Sequence, residues 1–176
     1  MKTKGLLFGI IAIASAFTLG SCKKNNSAAA NSFSYNSQTY ETPYALADGE
    51  SSASAQYTDV TFLSYNPGIA TTSGKVSVGF IEFAMSPLVA GTYTYKSFDD
   101  PAFDATKNFA AADFGLGMNL QNGAPDDTSG TQLNEGDITA GTITVAKSGD
   151  VWTFTYNITY KSGTVTGQYN GKVTGL

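Results

Sequence analysis

The sequence predicts an all-β protein, a single antiparallel β-sandwich of eight or nine strands that ends in a meander. Three observations carry this expectation. Apolar and polar residues alternate with period two along most of the chain, and helix-type spacing is scarce. Turn signals containing Gly, Asn or Pro recur at intervals of roughly ten residues, as in sandwiches and barrels. Residues 33–176 are enough for one domain around one core. The alternative is a lipocalin-like closed barrel, whose interior can hold one small ligand where a sandwich fills that space with side chains.

The elements follow in chain order. FSYNSQTY, residues 33–40, reads as two short aromatic arms around Asn36-Ser37-Gln38, ended by Pro43, which has no amide to donate to a ladder. Tyr57 to Tyr65 alternates around Val60 and Phe62 and stops at Asn66-Pro67-Gly68. Lys75 to Phe83 is apolar on both faces near its end, as a central strand would be. Gly91 to Tyr95 makes a short strand, and 113–121 alternates Phe114, Leu116, Met118 and Leu120 with small or polar residues. Residues 101–112 are the one helical candidate, although Asp99-Asp100-Pro101 equally suits a loop. The clearest strand is 151–161, with Trp152, Phe154, Tyr156, Ile158 and Tyr160 on one face and Thr153, Thr155, Asn157 and Thr159 on the other. Flanked by 141–145 and 164–169 through Gly-containing links, it makes a three-strand meander. Asn170-Gly171 suggests a bulge or a short terminal hairpin.

Ahead of this body stands an address. Lys2 and Lys4 precede an apolar and small-residue run from Gly5 to Thr18, too short to span a bilayer but of signal-peptide length. It closes on Leu19-Gly20-Ser21-Cys22, which looks like a bacterial lipobox: an aliphatic residue, two small residues that fit the peptidase, then the thiol that takes diacylglycerol. The expected organisation is a lipoprotein signal peptide at 1–21, lipidated Cys22 with a flexible tether at 22–32, and a β-domain at 33–176. Cleavage would leave eight Lys against fourteen acids, a balance of −6 that disfavours nucleic acid and anionic membrane surfaces. Attachment would come from lipid instead, since each buried methylene contributes about 0.8 kcal/mol.

The lipobox, the tether, the opening FSYNSQTYETPYA and the closing GTITVAKSGDVWTFTYNITYKSGTVTGQYNGKV resemble small cell-envelope lipoproteins of Bacteroidota-type bacteria. Those are all-β domains mostly without an assigned activity. The resemblance covers both ends of the chain and little of 46–136. It implies an outer-membrane lipid-anchored protein and supplies no catalytic residues. The surface-export tag of that group tends to be acidic after the cysteine. Here Lys23, Lys24, Asn25 and Asn26 follow, so the periplasmic and surface faces both stay open.

Composition narrows the chemistry further. There is no His and no Arg, and the one Cys is committed to lipid, which removes imidazole bases, His-metal sites, Ser-His-Asp triads and guanidinium clamps. No cofactor is expected. A hydrolase would need paired carboxylates, and the acids cluster as Asp99, Asp100, Asp104 and as Asp126, Asp127, Glu135, Asp137. All of these sit in turn-rich segments and read as solvated turn residues. Asp126, Asp127 and Asp137 are weak calcium candidates, because the spacing of an EF-hand loop is not met. The ten tyrosines are the positive hint of binding, since each offers a flat apolar face with a hydroxyl handle. Tyr40, Tyr44, Tyr93 and Tyr95 are the expected members of an exposed patch for a glycan or a partner envelope protein. The leading reading is a non-catalytic, lipid-anchored binding or accessory module; the alternatives are a barrel-type carrier and a carboxylate hydrolase.

Overall fold

The computed structural model describes residues 31–51, 56–69 and 73–176. The expected leader, Cys22 and all but the last two tether residues lie outside the described residues. In chain order the strands are β1 (Ser32–Tyr35), β2 (Gln38–Glu41), β3 (Tyr44–Ser51), β4 (Gln56–Leu63), β5 (Ser73–Phe83), β6 (Gly91–Tyr95), β7 (Asn108–Phe109) and β8 (Ala111–Gln121). They continue with β9 (Ala124–Pro125), β10 (Thr131–Leu133), a 3-10 turn at Glu135–Asp137, β11 (Ile138–Ser148), β12 (Val151–Tyr160) and β13 (Gly163–Gly171).

Two sheets face each other. One runs β2-β1-β13-β12-β11-β6-β7 and the other β10-β8-β5-β4-β3, with β9 paired to β8. Every strand pair is antiparallel except β6 with β7. Both sheets keep free edges, so the fold is the sandwich and not the closed barrel. Rings from opposite sheets fill the space between them: Phe62 lies 5.4 Å from Phe154 and 5.5 Å from Tyr169, Phe33 5.0 Å from Phe114, and Phe83 5.0 Å from Tyr93, centroid to centroid. All five apolar positions expected on one face of β12 are buried in this core. The opposite face of the same sheet is hydroxylated. Thr94, Thr142, Asn157, Thr166, Ser34 and Thr39 stand in register across six strands, the pleated, solvated setting that threonine favours.

Three expectations are corrected. Among the described residues the strands number thirteen, not eight or nine, because β3, β7, β9 and β10 are added. β7, β9 and β10 are two or three residues long and exist by pairing with a longer neighbour. β3 contains Asp48, Gly49 and Glu50, poor strand formers by themselves, and its pairing with β4 along its whole length overrides them. Residues 101–112 form no helix: Asp100 and Asp104 each close a tight turn, with their side chains accepting the amides of Ala102 and Thr106, and β7 follows. No bulge interrupts β13, whose register with β12 runs unbroken to Gly171 opposite Trp152. No terminal hairpin follows either. The chain crosses to the other sheet, where the Thr174 amide donates to the Ala45 carbonyl at 3.1 Å and the Ala47 amide to the Thr174 carbonyl at 2.7 Å. Val173, buried between the sheets, makes that crossing favourable. β1 begins at Ser32, which is in register with both Gln168 and Glu41.

Candidate functional site

A groove of about 540 Å³ with an exposed aromatic ring on its rim lies at the start of β3. Three segments build it. Pro43 ends the pairing of β2 and turns the chain into β3, so that Tyr44 and Leu46 fall on the solvent face while Ala45 between them is buried. After β4, Asn66-Pro67-Gly68 forms a turn in which the Asn66 side-chain oxygen accepts the Gly68 amide at 2.9 Å. The far wall is the segment after β13, held by the bonds of Thr174 and by the Tyr169 hydroxyl, which donates to the Lys172 carbonyl at 2.7 Å. Tyr44 keeps 38% of its surface exposed on the rim. Lys172 stands beside it, ion-paired with Asp150 at 3.3 Å. An exposed phenol ring, proline walls, one amide and one ammonium suit a sugar ring: the ring stacks, and the polar groups take hydroxyls.

The expected tyrosine patch does not assemble. Tyr93 is buried, because β6 turns Thr92 and Thr94 to solvent and Tyr93 inward against Phe83, with its hydroxyl donating to the Val89 carbonyl. Burial raises that phenol above its ordinary value, and the bond to Val89 partly offsets the effect. Tyr95 follows the same inward alternation and packs on Phe109 at 5.6 Å. Tyr40 is half-buried, stacked on Phe33 at 5.2 Å. Tyr40 borders a separate concavity with Glu41 and Lys75, and Tyr44 is the most exposed of the four.

The calcium candidates are likewise not brought together. Asp126 spends its carboxylate inside its own turn, accepting the Thr128 amide and hydroxyl and the Gln121 side chain, and the bonds to Thr128 hold it below the ordinary carboxylate range. Asp137 pairs with Lys161 at 2.8 Å, and Asp127 belongs to neither arrangement. Among the described residues no three acids are grouped to hold a metal ion. Of the other loop acids, Asp104 is held down to about 2, first by the Lys107 ammonium and then by Thr106.

Asp59, Glu82 and Asp113, whose protons are held unusually tightly, are acids that sequence reasoning passed over. Asp48, Asp59 and Glu82 stand opposite one another on β3, β4 and β5, with Asp113 of β8 nearby. Burial, then the Asp48 charge, raises Asp59; burial, then Asp59, Glu135 and Asp113, raises Glu82; burial raises Asp113. They lie on an open sheet face, and none of the four lines the groove. The signal was available in TDVTF and FIEF, where an acid takes a polar place in an otherwise apolar strand. The chain matches no family model, and neither the curated proteins nor the solved structures contain a significant match.

Proposed function

We propose that this protein is a lipid-anchored lipoprotein of the outer membrane and that its β-domain is a non-catalytic module binding a glycan in the groove at Tyr44. The observation that carries the reading is the exposed Tyr44 ring on a groove whose walls are tied together by backbone bonds. A preformed wall lowers the ordering cost of binding. Two further features favour a binding module over the other readings. The interior is packed with rings where a carrier would keep a cavity, and the acids with raised proton affinity lie on an open face rather than in the groove.

Two experiments test the two halves of this reading. Titration of purified domain with neutral oligosaccharides, followed by calorimetry, should show binding that Tyr44→Ala weakens by about fivefold, the loss of roughly 1 kcal/mol of ring contact. Since Tyr44 is exposed, the variant should melt within a few degrees of wild type. Unchanged affinity at unchanged stability removes the groove from consideration. For the anchor, labelled palmitate should enter the wild-type chain and not Cys22→Ala, and equal labelling of the two would end the lipoprotein reading.

A further inference from the structure

β3 ends the strand order of its sheet, its outer side bridged at Leu46 by Thr174, and its solvent face carries two features in succession. Tyr44 and Leu46 wall the groove, and Asp48 is the next residue on that face. Asp59 stands in register with Asp48, and Glu82 in register with Asp59. Glu82 is partnered by Ala111 on β8, so Asp113, two residues on, lies diagonally beyond it on the same face. The Asp113 carboxylate accepts the Glu135 amide at 2.7 Å, which places the 3-10 turn at the end of the row. Carboxylates therefore cross four strands side by side. Like charges directly opposite each other weaken a sheet. One oxygen of Asp59 is sealed from solvent with no hydrogen-bond partner, and the ion pairs Lys96–Asp100, Lys107–Asp104, Lys161–Asp137 and Lys172–Asp150 all form elsewhere.

Lys147 of β11 and the C-terminal Leu176 share a concavity with Asp48 at one end of the row, and no titratable side chain on the row's own elements pairs with Asp59 or Glu82. On β3, Glu50 is the next acid along, at a register position opposite Tyr57 of β4. On β5, Lys75 lies at the far end of the strand, opposite Asn119. β10, the outer neighbour of β8, carries only Thr131, Gln132 and Leu133. In the 3-10 turn Glu135 adds a further negative charge, and Asp137 is taken by Lys161.

The geometry points to a proton-operated latch: repulsion along Asp48, Asp59 and Glu82 loosens the edge strand β3 at neutral pH, and protons taken up in mildly acidic surroundings seat β3 and the groove wall built on it. One proton between neighbouring carboxylates turns a repulsive contact into an O–H···O bond. The sign follows from the upward shifts of Asp59, Glu82 and Asp113. A carboxyl raised in the folded protein adds stability that is fully present below its ordinary value, 3.8 for Asp and 4.5 for Glu, and is lost as pH climbs through the raised value.

Amide hydrogen exchange tests the latch without reference to any ligand, so its failure and that of the glycan reading are separable. Exchange is followed in the whole β-domain at about pH 7 and about pH 5, after correction for intrinsic chemistry. The β3 and β4 amides should gain at least twofold in protection on acidification, while the β11–β12 pair stays constant. Asp59→Asn and Glu82→Gln should each show high β3 protection already at neutral pH and at least a halved response. Asp99→Asn removes the same charge outside the row and should respond as wild type does. If β3 protection is flat or falls on acidification, or if the three variants respond alike, the latch is refuted. Should one row variant fail to fold, the other variant and the wild-type profile still separate the two outcomes.

Discussion

Tyr156 and Tyr160 sit on the same face of β12, four residues apart, and face opposite fates. The Tyr160 hydroxyl donates to the Ala112 carbonyl at 2.7 Å across the sandwich, whereas the Tyr156 hydroxyl is buried with no partner. Burial drives both phenols far above their ordinary value, so neither ionises in any physiological range. A buried hydroxyl without a partner carries an uncompensated desolvation cost of about 1–3 kcal/mol. Tyr156→Phe should therefore leave stability unchanged or raise it by about 1 kcal/mol, while Tyr160→Phe should lower it by about 1 kcal/mol. Urea unfolding of both variants checks the contrast, and equal destabilisation would contradict it.

At the level of elements, the β12–β13 pair shows how much a strand depends on its neighbour. Gly167 is opposite Tyr156, and a Cβ on Gly167 would fall 2.4 Å from the Tyr156 ring. The ring lies over the glycine, a cross-strand arrangement in which the aromatic covers the missing side chain. Gly167→Ala should cost about 1–3 kcal/mol by overpacking, and Tyr156→Leu in the same chain should recover part of that loss in thermal melts. Gly149 acts differently. Its φ of 57° makes the tight turn between β11 and β12, and its role was legible because a glycine between two alternating strands signals a hairpin. The partner of Gly167 was not legible, since register belongs to two strands and period two names only the face. β3 escaped detection for the same reason. Its acids and glycine argue against a strand, and only eight paired positions on β4 make it one.

For the whole molecule, two sets of acids act on stability in opposite directions. Asp59, Glu82 and Asp113 are raised, so they stabilise the fold as pH falls toward the ordinary carboxylate range. Asp104 is lowered to about 2, so its contribution is present above 3.8 and is lost as pH falls through about 2. Because the windows do not overlap, the melting temperature should rise from neutral pH to about pH 4–5 and decline below about pH 3. Circular dichroism melts across that range check the shape. A steady fall from neutral to pH 4 would show that the row does not govern acid stability.

The sequence by itself determined the all-β class, the inward face of β12 and the three-strand meander, because period-two alternation and glycine turns are local properties of a chain, while sandwich against barrel was decided by how the strands pair. It also narrowed the chemistry, since a chain without His or Arg has few groups to offer. Only the tertiary structure decided which tyrosine stays exposed, where the last residues cross between sheets and which acids meet. Each of these depends on a partner strand far away in sequence. Asp48, Asp59 and Glu82 are ordinary strand acids until pairing sets them side by side. Tyr44 and Tyr93 differ only in which side of their strand faces the second sheet.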